Sequence, residues 1–260
     1  MVHAHVPTSE PPVADRSGQR PVPASWADGA APPQRAFAEA AAAAALAPLI
    51  AAGPYLPWGA GTMRAAGLVA VCNDVVLSDR RCVVEVGSGT STVLLARLLR
   101  ERWPAGGQRH VAVEHDPEWA RWVADQLARE GLADCTTVLH VPLGPHAHGQ
   151  AGLPWYDDDL LRDGLDAALG DEPVDLLVVD GPPADTADKV LARYPALPVV
   201  HPRLAPGATV VLDDVERPGE QEVLRRWERE FDVRFERRAA AAGVALGRIG
   251  GRSAPAPVHG

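Results

Sequence analysis

Two glycines separated by one residue follow a short β-branched run that ends in an acid. The run 83–86 leads into Gly87-Ser88-Gly89, and apolar residues at helical spacing follow directly over 93–99. This order predicts a strand, a tight turn and a helix. Glycine lets a ligand approach the turn backbone, and the helix start offers free N–H groups and the positive end of a dipole. The chemistry predicted for this segment is therefore ligand binding at a helix N-terminus.

A second acid narrows the choice of ligand. The apolar run 111–113 ends in Glu114, 29 residues after Glu85. An acid at the end of a second strand can accept hydrogen bonds from ribose hydroxyls. A dinucleotide fingerprint needs a third glycine where Thr92 stands, which weakens an interpretation as an NAD site. The Glu-x-Gly-x-Gly turn together with Glu114 resembles the class I S-adenosylmethionine-dependent methyltransferases.

This resemblance implies S-adenosyl-L-methionine as the cofactor. The cofactor contacts that it implies are Glu85, Gly87, Ser88, Gly89, Thr90, Ser91, Thr92, Glu114 and His115. We expect Thr90, Ser91 and Thr92 to begin the helix, to satisfy its free N–H groups and to contact the methionine carboxylate. Two plainer interpretations stay open: an ordinary βαβ unit with a glycine turn, and a surface histidine at position 115.

Three further carboxylates are predicted at the same edge of the sheet. Asp180 follows the apolar run 174–179, and Asp213 and Asp214 follow the run 208–212. Parallel strands end at one rim, so these acids converge there. Three anionic oxygens repel one another unless a cation or a proton joins them, and Mg²⁺ prefers such ligands.

The three aspartates resemble the metal site of the catechol and caffeoyl-CoA type of O-methyltransferase. That resemblance implies Mg²⁺ held by Asp180, Asp213 and Asp214, with Asp180 close to the reaction and the metal lowering the pKa of a substrate hydroxyl. The alternative is a structural set of acids facing water. The chain departs from the family at Pro182 and Pro183, where relatives carry a lysine or aspartate as base.

Other residues of the predicted rim are candidates for catalysis or substrate contact. His146 and His148 lie in the loop 142–154 after the third strand, and a histidine can act as a base near neutral pH. Trp155 and Tyr156 either stack on a ligand or pack in the core. The Asp-Gly-Pro-Pro segment preceded by Trp-Tyr-Asp is similar to a broader methyltransferase group that includes plant glucuronoxylan O-methyltransferases.

Composition limits the partners of the chain. Its 260 residues are 47% hydrophobic and carry a net charge of −9, which argues against a nucleic-acid surface. Three cysteines without metal-like spacing suit reduced thiols in a cytoplasmic protein. The alanine-rich stretch 36–52 contains an acid and is too short to span a membrane. We expect a small-molecule acceptor, no nucleic-acid or membrane partner, and leave a homodimer open.

The alternation of apolar runs predicts an α/β fold with a doubly wound, mostly parallel seven-stranded sheet and an antiparallel terminal hairpin. This is the Rossmann-like class I methyltransferase pattern. Strands are predicted at 81–86, 109–114, 136–141, 174–179, 208–213, 232–238 and 243–249, and helices at 35–52, 62–77, 91–102, 117–130, 158–169, 185–194 and 218–230. The predicted domains are a disordered tail over 1–33, a helical extension over 34–78, the methyltransferase domain over 79–251 and a flexible tail over 252–260.

Together these patterns predict O-methylation of a hydroxyl on a small metabolite, of the kind found in secondary metabolism, with Mg²⁺ assistance. Two alternatives remain: a metal-independent N- or C-methyltransferase, and a cofactor-binding regulatory module without catalysis.

Overall fold

The computed structural model describes residues 32–59, 61–149, 152–238 and 243–250. The predicted tails fall outside this part of the chain, except that the first helix already begins at Pro32. The helices are α1 Pro32–Ala51, α2 Ala65–Leu77, α3 Thr90–Arg102, α4 Pro117–Arg129, α5 Asp158–Leu169, α6 Ala196–Val200 and α7 Pro218–Glu230. The strands are β1 Cys82–Val86, β2 Arg109–Glu114, β3 Thr136–His140, β4 Leu143–Gly144, β5 Trp155–Tyr156, β6 Val174–Val179, β7 Leu204–Leu212, β8 Phe235–Arg238 and β9 Val244–Arg248.

Seven strands form one sheet in the order β3-β2-β1-β6-β7-β9-β8. The first five strands of this order are parallel, and β9 pairs antiparallel with both β7 and β8. The predicted fold class is therefore confirmed, including the terminal hairpin. From β1 the chain adds strands first on one side of the sheet and then, from β6 onward, on the other side. Such a change of side leaves a crevice at the carboxyl ends of β1 and β6.

Both faces of the sheet are covered, which explains why its central strands are continuous apolar runs. Alternate residues of β1 and β6 face opposite sides, so Val83 and Leu176 pack with α1 to α4. Their neighbours Val84 and Leu177 pack with α5, α6 and α7. Every residue of β1 is buried, and this includes Glu85.

One predicted helix is wrong. Residues 185–194 form a short 3-10 turn at Ala187–Lys189 and further turns, and the α-helix starts only at Ala196. Backbone bonds of the i to i+3 type recur here, from Ala192 N–H to the carbonyl of Lys189 and from Ala196 N–H to that of Arg193. A residue that precedes proline avoids the α conformation, and Pro195 ends the segment. Two other features differ from prediction. Strand β7 starts at Leu204, ahead of the predicted start at residue 208, and the unpredicted short strands β4 and β5 pair with each other.

One buried arginine links the N-terminal extension to the core, in addition to the apolar packing of α1 and α2. Arg97 of α3 donates to the carbonyls of Leu49 and Ile50 at the end of α1 and to that of Pro54. Its guanidinium also forms a two-bonded pair with Glu130, at 2.6 and 2.8 Å. Arg97 therefore satisfies helix-end carbonyls that have no partner within the helix. Among the described residues, no helix is both long and apolar enough to cross a bilayer.

We expect Arg97→Met to destabilise the protein by roughly 3–5 kcal/mol, because it leaves the buried Glu130 carboxylate without its cation. The matched control is Arg100→Met on the same helix, whose partner Asp134 is exposed, and we expect a loss of at most about 1 kcal/mol. Urea denaturation of both variants measures the difference. Equal losses in the two variants would show that Arg97 does not anchor the extension.

Candidate active site

A cavity of about 880 Å³ opens at the carboxyl ends of β1, β2, β6 and β7. The N-terminal extension contributes part of its lining, through Pro57, Gly59, Gly61, Thr62, Met63 and Arg64. The glycine turn forms one wall with Gly87, Ser88, Gly89, Thr90 and Ser91. Glu114, His115, Trp119 and Tyr156 form a second part of the lining, and Asp180, Arg193, Asp213, Asp214 and Arg217 form a third part.

Glycine is required at position 87 by backbone packing. Gly87 has φ +93°, and a Cβ there would lie 2.9 Å from the backbone nitrogen of Gly181. The turn after β1 and the segment after β6 are thus in direct backbone contact. Gly89 differs, because its φ is extended and a Cβ would meet only Trp119, at 3.9 Å. The missing side chain of Gly89 therefore leaves space in the cavity, whereas that of Gly87 allows close contact with another backbone segment.

Two of the predicted cofactor contacts lie beneath the turn instead of on the cavity. Glu85 is fully buried and accepts hydrogen bonds from the hydroxyls of Ser91 and Thr92, both at 2.6 Å. The Thr92 hydroxyl also accepts from Gly89 N–H. The nearest ring nitrogen of His110, a residue that sequence reasoning missed, lies 3.3 Å from Glu85. Glu85 and Thr92 therefore hold the shape of the turn.

Glu114 organises the part of the cavity wall next to the turn. Its carboxylate accepts hydrogen bonds from the backbone and hydroxyl of Ser88 and from the backbone N–H groups of His115 and Asp116. Burial alone would raise the pKa of Glu114, but the hydrogen bonds from His115, Asp116 and Ser88 outweigh it and lower the pKa. The hydrogen bond to Glu114 raises the pKa of His115 in return. A charged Glu114 thus lines the cavity at neutral pH.

Asp180, Asp213 and Asp214 form an acid cluster in the third part of the cavity lining. Each offers one carboxylate oxygen, and these three oxygens lie within 4.8 Å of one another. Asp214 has φ +60°, a left-handed conformation that aspartate tolerates better than most residues. Burial, followed by repulsion from Asp213, raises the pKa of Asp180 well above its usual range. Burial and repulsion from Asp214 raise the pKa of Asp213 to about 6.

A family model described as a methyltransferase domain matches residues 84–215, just over half of the chain. The match runs from β1 through the last residue of the acid cluster. The chain belongs to this methyltransferase family. It is a class I enzyme that uses S-adenosylmethionine. No curated protein matches the chain significantly.

Solved structures show the same fold. The methyltransferase resembles the O-methyltransferase from Bacillus cereus in complex with SAH, with 21% identity, a TM-score of 0.51, and coverage of 84% of this chain and 90% of that one. A methyltransferase from Geobacter sulfurreducens has 15% identity and a TM-score of 0.54, with 86% and 98% covered. The SAH-bound Podospora anserina methyltransferase PaMTH1 has 12% identity and a TM-score of 0.52, with 89% and 98% covered.

Two aromatic residues of the methyltransferase face the cavity. The Trp119 indole N–H donates to the carbonyl of Ser88 at 2.8 Å, and its ring stacks on Trp122. Tyr156 is fully buried and lines the cavity, and its hydroxyl has no hydrogen-bond partner within the described part of the chain. A buried hydroxyl without a partner is costly, which makes Tyr156 a candidate for contact with a bound ligand. Trp155 instead packs in the core.

The structure does not bring the two predicted loop histidines to the cavity. His146 is nearly enclosed and lies 3.5 Å from Asp158, and its ring accepts a hydrogen bond from the backbone of His148. Neither residue is among those that line the cavity. The reason is the pairing of β4 with β5, which presents Tyr156 to the site in place of the histidines.

Two arginines within the acid cluster were missed by sequence reasoning. Arg193 lies 3.3 Å from Asp180 and 3.0 Å from Asp214, and Arg217 lies 2.9 Å from the same oxygen of Asp214. Only 4% of the Arg193 side chain is exposed to solvent. The cluster is thus already paired with cationic side chains.

We expect Gly89→Val to leave the melting temperature nearly unchanged while it weakens S-adenosylmethionine binding at least tenfold, because the new side chain enters open cavity. Gly87→Ala should instead lower the melting temperature, because its Cβ meets backbone and its φ is left-handed. Calorimetric titration and thermal denaturation measure the two effects. Unchanged cofactor affinity in a folded Gly89→Val protein would remove the turn from the cofactor site.

Proposed function

We propose that this methyltransferase transfers a methyl group to a hydroxyl oxygen of a small acceptor. The observation that carries the proposal is the position of Asp180, a half-buried carboxylate in the same cavity as the glycine turn and Glu114. A hydroxyl loses its proton as it attacks, so an oxygen acceptor needs a base nearby. The similar protein from Bacillus cereus is also an O-methyltransferase.

The cofactor half of the cavity consists of the turn and the wall at Glu114. When bound, S-adenosylmethionine supplies an electrophilic methyl group on a sulfonium. The fit rests on three features: the open side of Gly89, the charged Glu114 and a volume within the usual range for small-molecule sites. Glu114 would accept hydrogen bonds from the ribose hydroxyls. Backbone groups at Ser88, Thr90 and Ser91 would bind the methionine end, and His115 would stand beside the ribose.

Asp180 is the proposed base. Its raised pKa makes the carboxylate a better proton acceptor than an ordinary aspartate near neutral pH. Asp180 would take the proton of the acceptor hydroxyl as the methyl group passes from the sulfonium to the acceptor oxygen. The products are a methyl ether and the neutral thioether SAH. The step requires Asp180 to be deprotonated. Activity is therefore expected to rise as the pH rises through the pKa of Asp180.

Mg²⁺ was the cation expected for the acid cluster from the sequence. The donor set suits a hard divalent cation, since three carboxylate oxygens lie within 4.8 Å of one another. The surroundings do not fit it, because Arg193 already contacts two of the three carboxylates. No step of the proposed reaction therefore runs through a metal ion.

The acceptor is proposed to be a hydroxylated small metabolite. The cavity of about 880 Å³ has the size of a small-molecule site. Met63 and Pro183 supply apolar surface, whereas Arg64 and Arg217 supply positive charge close to the acid cluster.

Methyl transfer from isotopically labelled S-adenosylmethionine to a panel of small phenols, alcohols and amines tests the proposal, with products identified by mass spectrometry. We expect methyl ethers. We expect Asp180→Asn to lower kcat by roughly 10²–10³-fold, the range of a lost general base, while cofactor affinity stays within about twofold. Asp171→Asn, an exposed aspartate outside the cavity, is the matched control.

Three results would contradict the proposal or the role that it gives to Asp180. Methylation of amines without any methyl ether would favour the N-methyltransferase alternative. Tight cofactor binding with no transfer to any member of the panel would favour the regulatory module. A pH profile unchanged in Asp180→Asn would remove that residue as the base even if methyl ethers form.

A further inference from the structure

Arg193 joins the ends of two strands through one buried guanidinium. Its Nε donates to the carbonyl of Pro182 after β6, and one Nη donates to the carbonyl of Asp213 after β7, both at 3.3 Å. The same group pairs with the carboxylates of Asp180 and Asp214. Four oxygens from two strand ends therefore converge on a single side chain.

We infer that Arg193 is the resident cation of the acid cluster and occupies the electrostatic role that a divalent metal ion plays in comparable sites, so that methyl transfer is independent of metal. Guanidinium suits this role because it is always charged and presents a planar fork of donors to carboxylates. The inference deepens the proposed function and relies on it only for the activity measurement.

The two backbone contacts show that Arg193 is held independently of the carboxylates. If the guanidinium moved away to admit a metal ion, the buried carbonyls of Pro182 and Asp213 would lose its hydrogen bonds. Buried carbonyls without partners are costly. Arg193 is therefore built into the rim, whereas a flexible surface arginine would move at little cost.

Two of the oxygens that a metal could use already have a cationic partner, one on Asp180 and one on Asp214. One oxygen of Asp214 lies 3.0 Å from Arg193 and 2.9 Å from Arg217, so it has two cationic partners. Mg²⁺ binds carboxylate oxygens at about 2.0–2.1 Å, which would place a dication next to both guanidinium groups. Like-charge repulsion therefore opposes metal binding while Arg193 is in place.

The consequence for the reaction is that Arg193 is a positioning residue. It fixes Asp180 at the end of β6 relative to Asp213 and Asp214 at the end of β7. It does so without blocking the second oxygen of Asp180, since the described contact involves only Oδ1. Asp180 can then meet an acceptor hydroxyl in a fixed position.

Titration of the full-length, chelator-treated protein with Mn²⁺, followed by electron paramagnetic resonance, tests the inference. We expect no Mn²⁺ site in the wild type. Arg193→Met keeps much of the side-chain length and removes the charge, so we expect a gain of one site with at least tenfold higher Mn²⁺ affinity. Adding Asp213→Asn to this variant should remove the site again. Arg225→Met, an exposed arginine of α7, is the matched control and should behave as wild type.

Three results would overturn the inference. The first is a wild-type Mn²⁺ site that Asp213→Asn abolishes. The second is a folded Arg193→Met protein, judged by circular dichroism and cofactor binding, that gains no Mn²⁺ affinity. The third is wild-type methyl transfer that stops with chelator and returns with Mn²⁺. If Arg193→Met does not fold, the two wild-type measurements still decide. Failure of methyl transfer to any hydroxyl would overturn the proposed function and leave the Mn²⁺ binding results interpretable.

Discussion

The rim of the parallel sheet gathers negative charge, and the rest of the site depends on how that charge is balanced. Strands β1, β2, β6 and β7 all end on the same side, and each carries an acid at or beside its carboxyl end. Each acid is compensated differently. Glu85 is held by two hydroxyls, Glu114 by backbone N–H groups and His115, and the acid cluster by arginine. The cavity lies where these arrangements meet.

Backbone contact sets the geometry of that rim. Gly87 and Gly181 approach so closely that a Cβ on either would lie within 3.0 Å of the other's backbone. This contact brings the glycine turn beside Asp180, so in the proposed reaction a donor bound at the turn would lie next to the acceptor. The N-terminal extension, which Arg97 helps to anchor, adds Pro57, Gly59, Gly61, Thr62, Met63 and Arg64 to the cavity lining. The backbone contact of Gly87 with Gly181 and the contacts of Arg97 with distant residues thus both shape the cavity.

Much of this could be predicted from local sequence. Buried strands are apolar runs whose ends are marked by acids, so the sheet, the glycine turn, Glu114 and the acid cluster were all recognisable. The role of Glu85 could not be predicted from the sequence. An acid at a strand end gives the same sequence pattern whether it faces a ligand or the hydroxyls of a helix. The histidines at 146 and 148 were misplaced because the pairing of β4 with β5 involves residues on either side of the loop. Arg193 was hidden in a segment predicted as a helix, and its partners lie 11 to 21 residues away along the chain.

A crystal structure of the protein with SAH, grown in the presence of Mn²⁺, tests the central claim most directly through anomalous scattering. The account predicts SAH between the glycine turn and Asp180, the Arg193 guanidinium between Asp180 and Asp214, and no anomalous peak within the acid cluster. An anomalous peak bound by Asp180, Asp213 and Asp214, with Arg193 turned away from them, would contradict it.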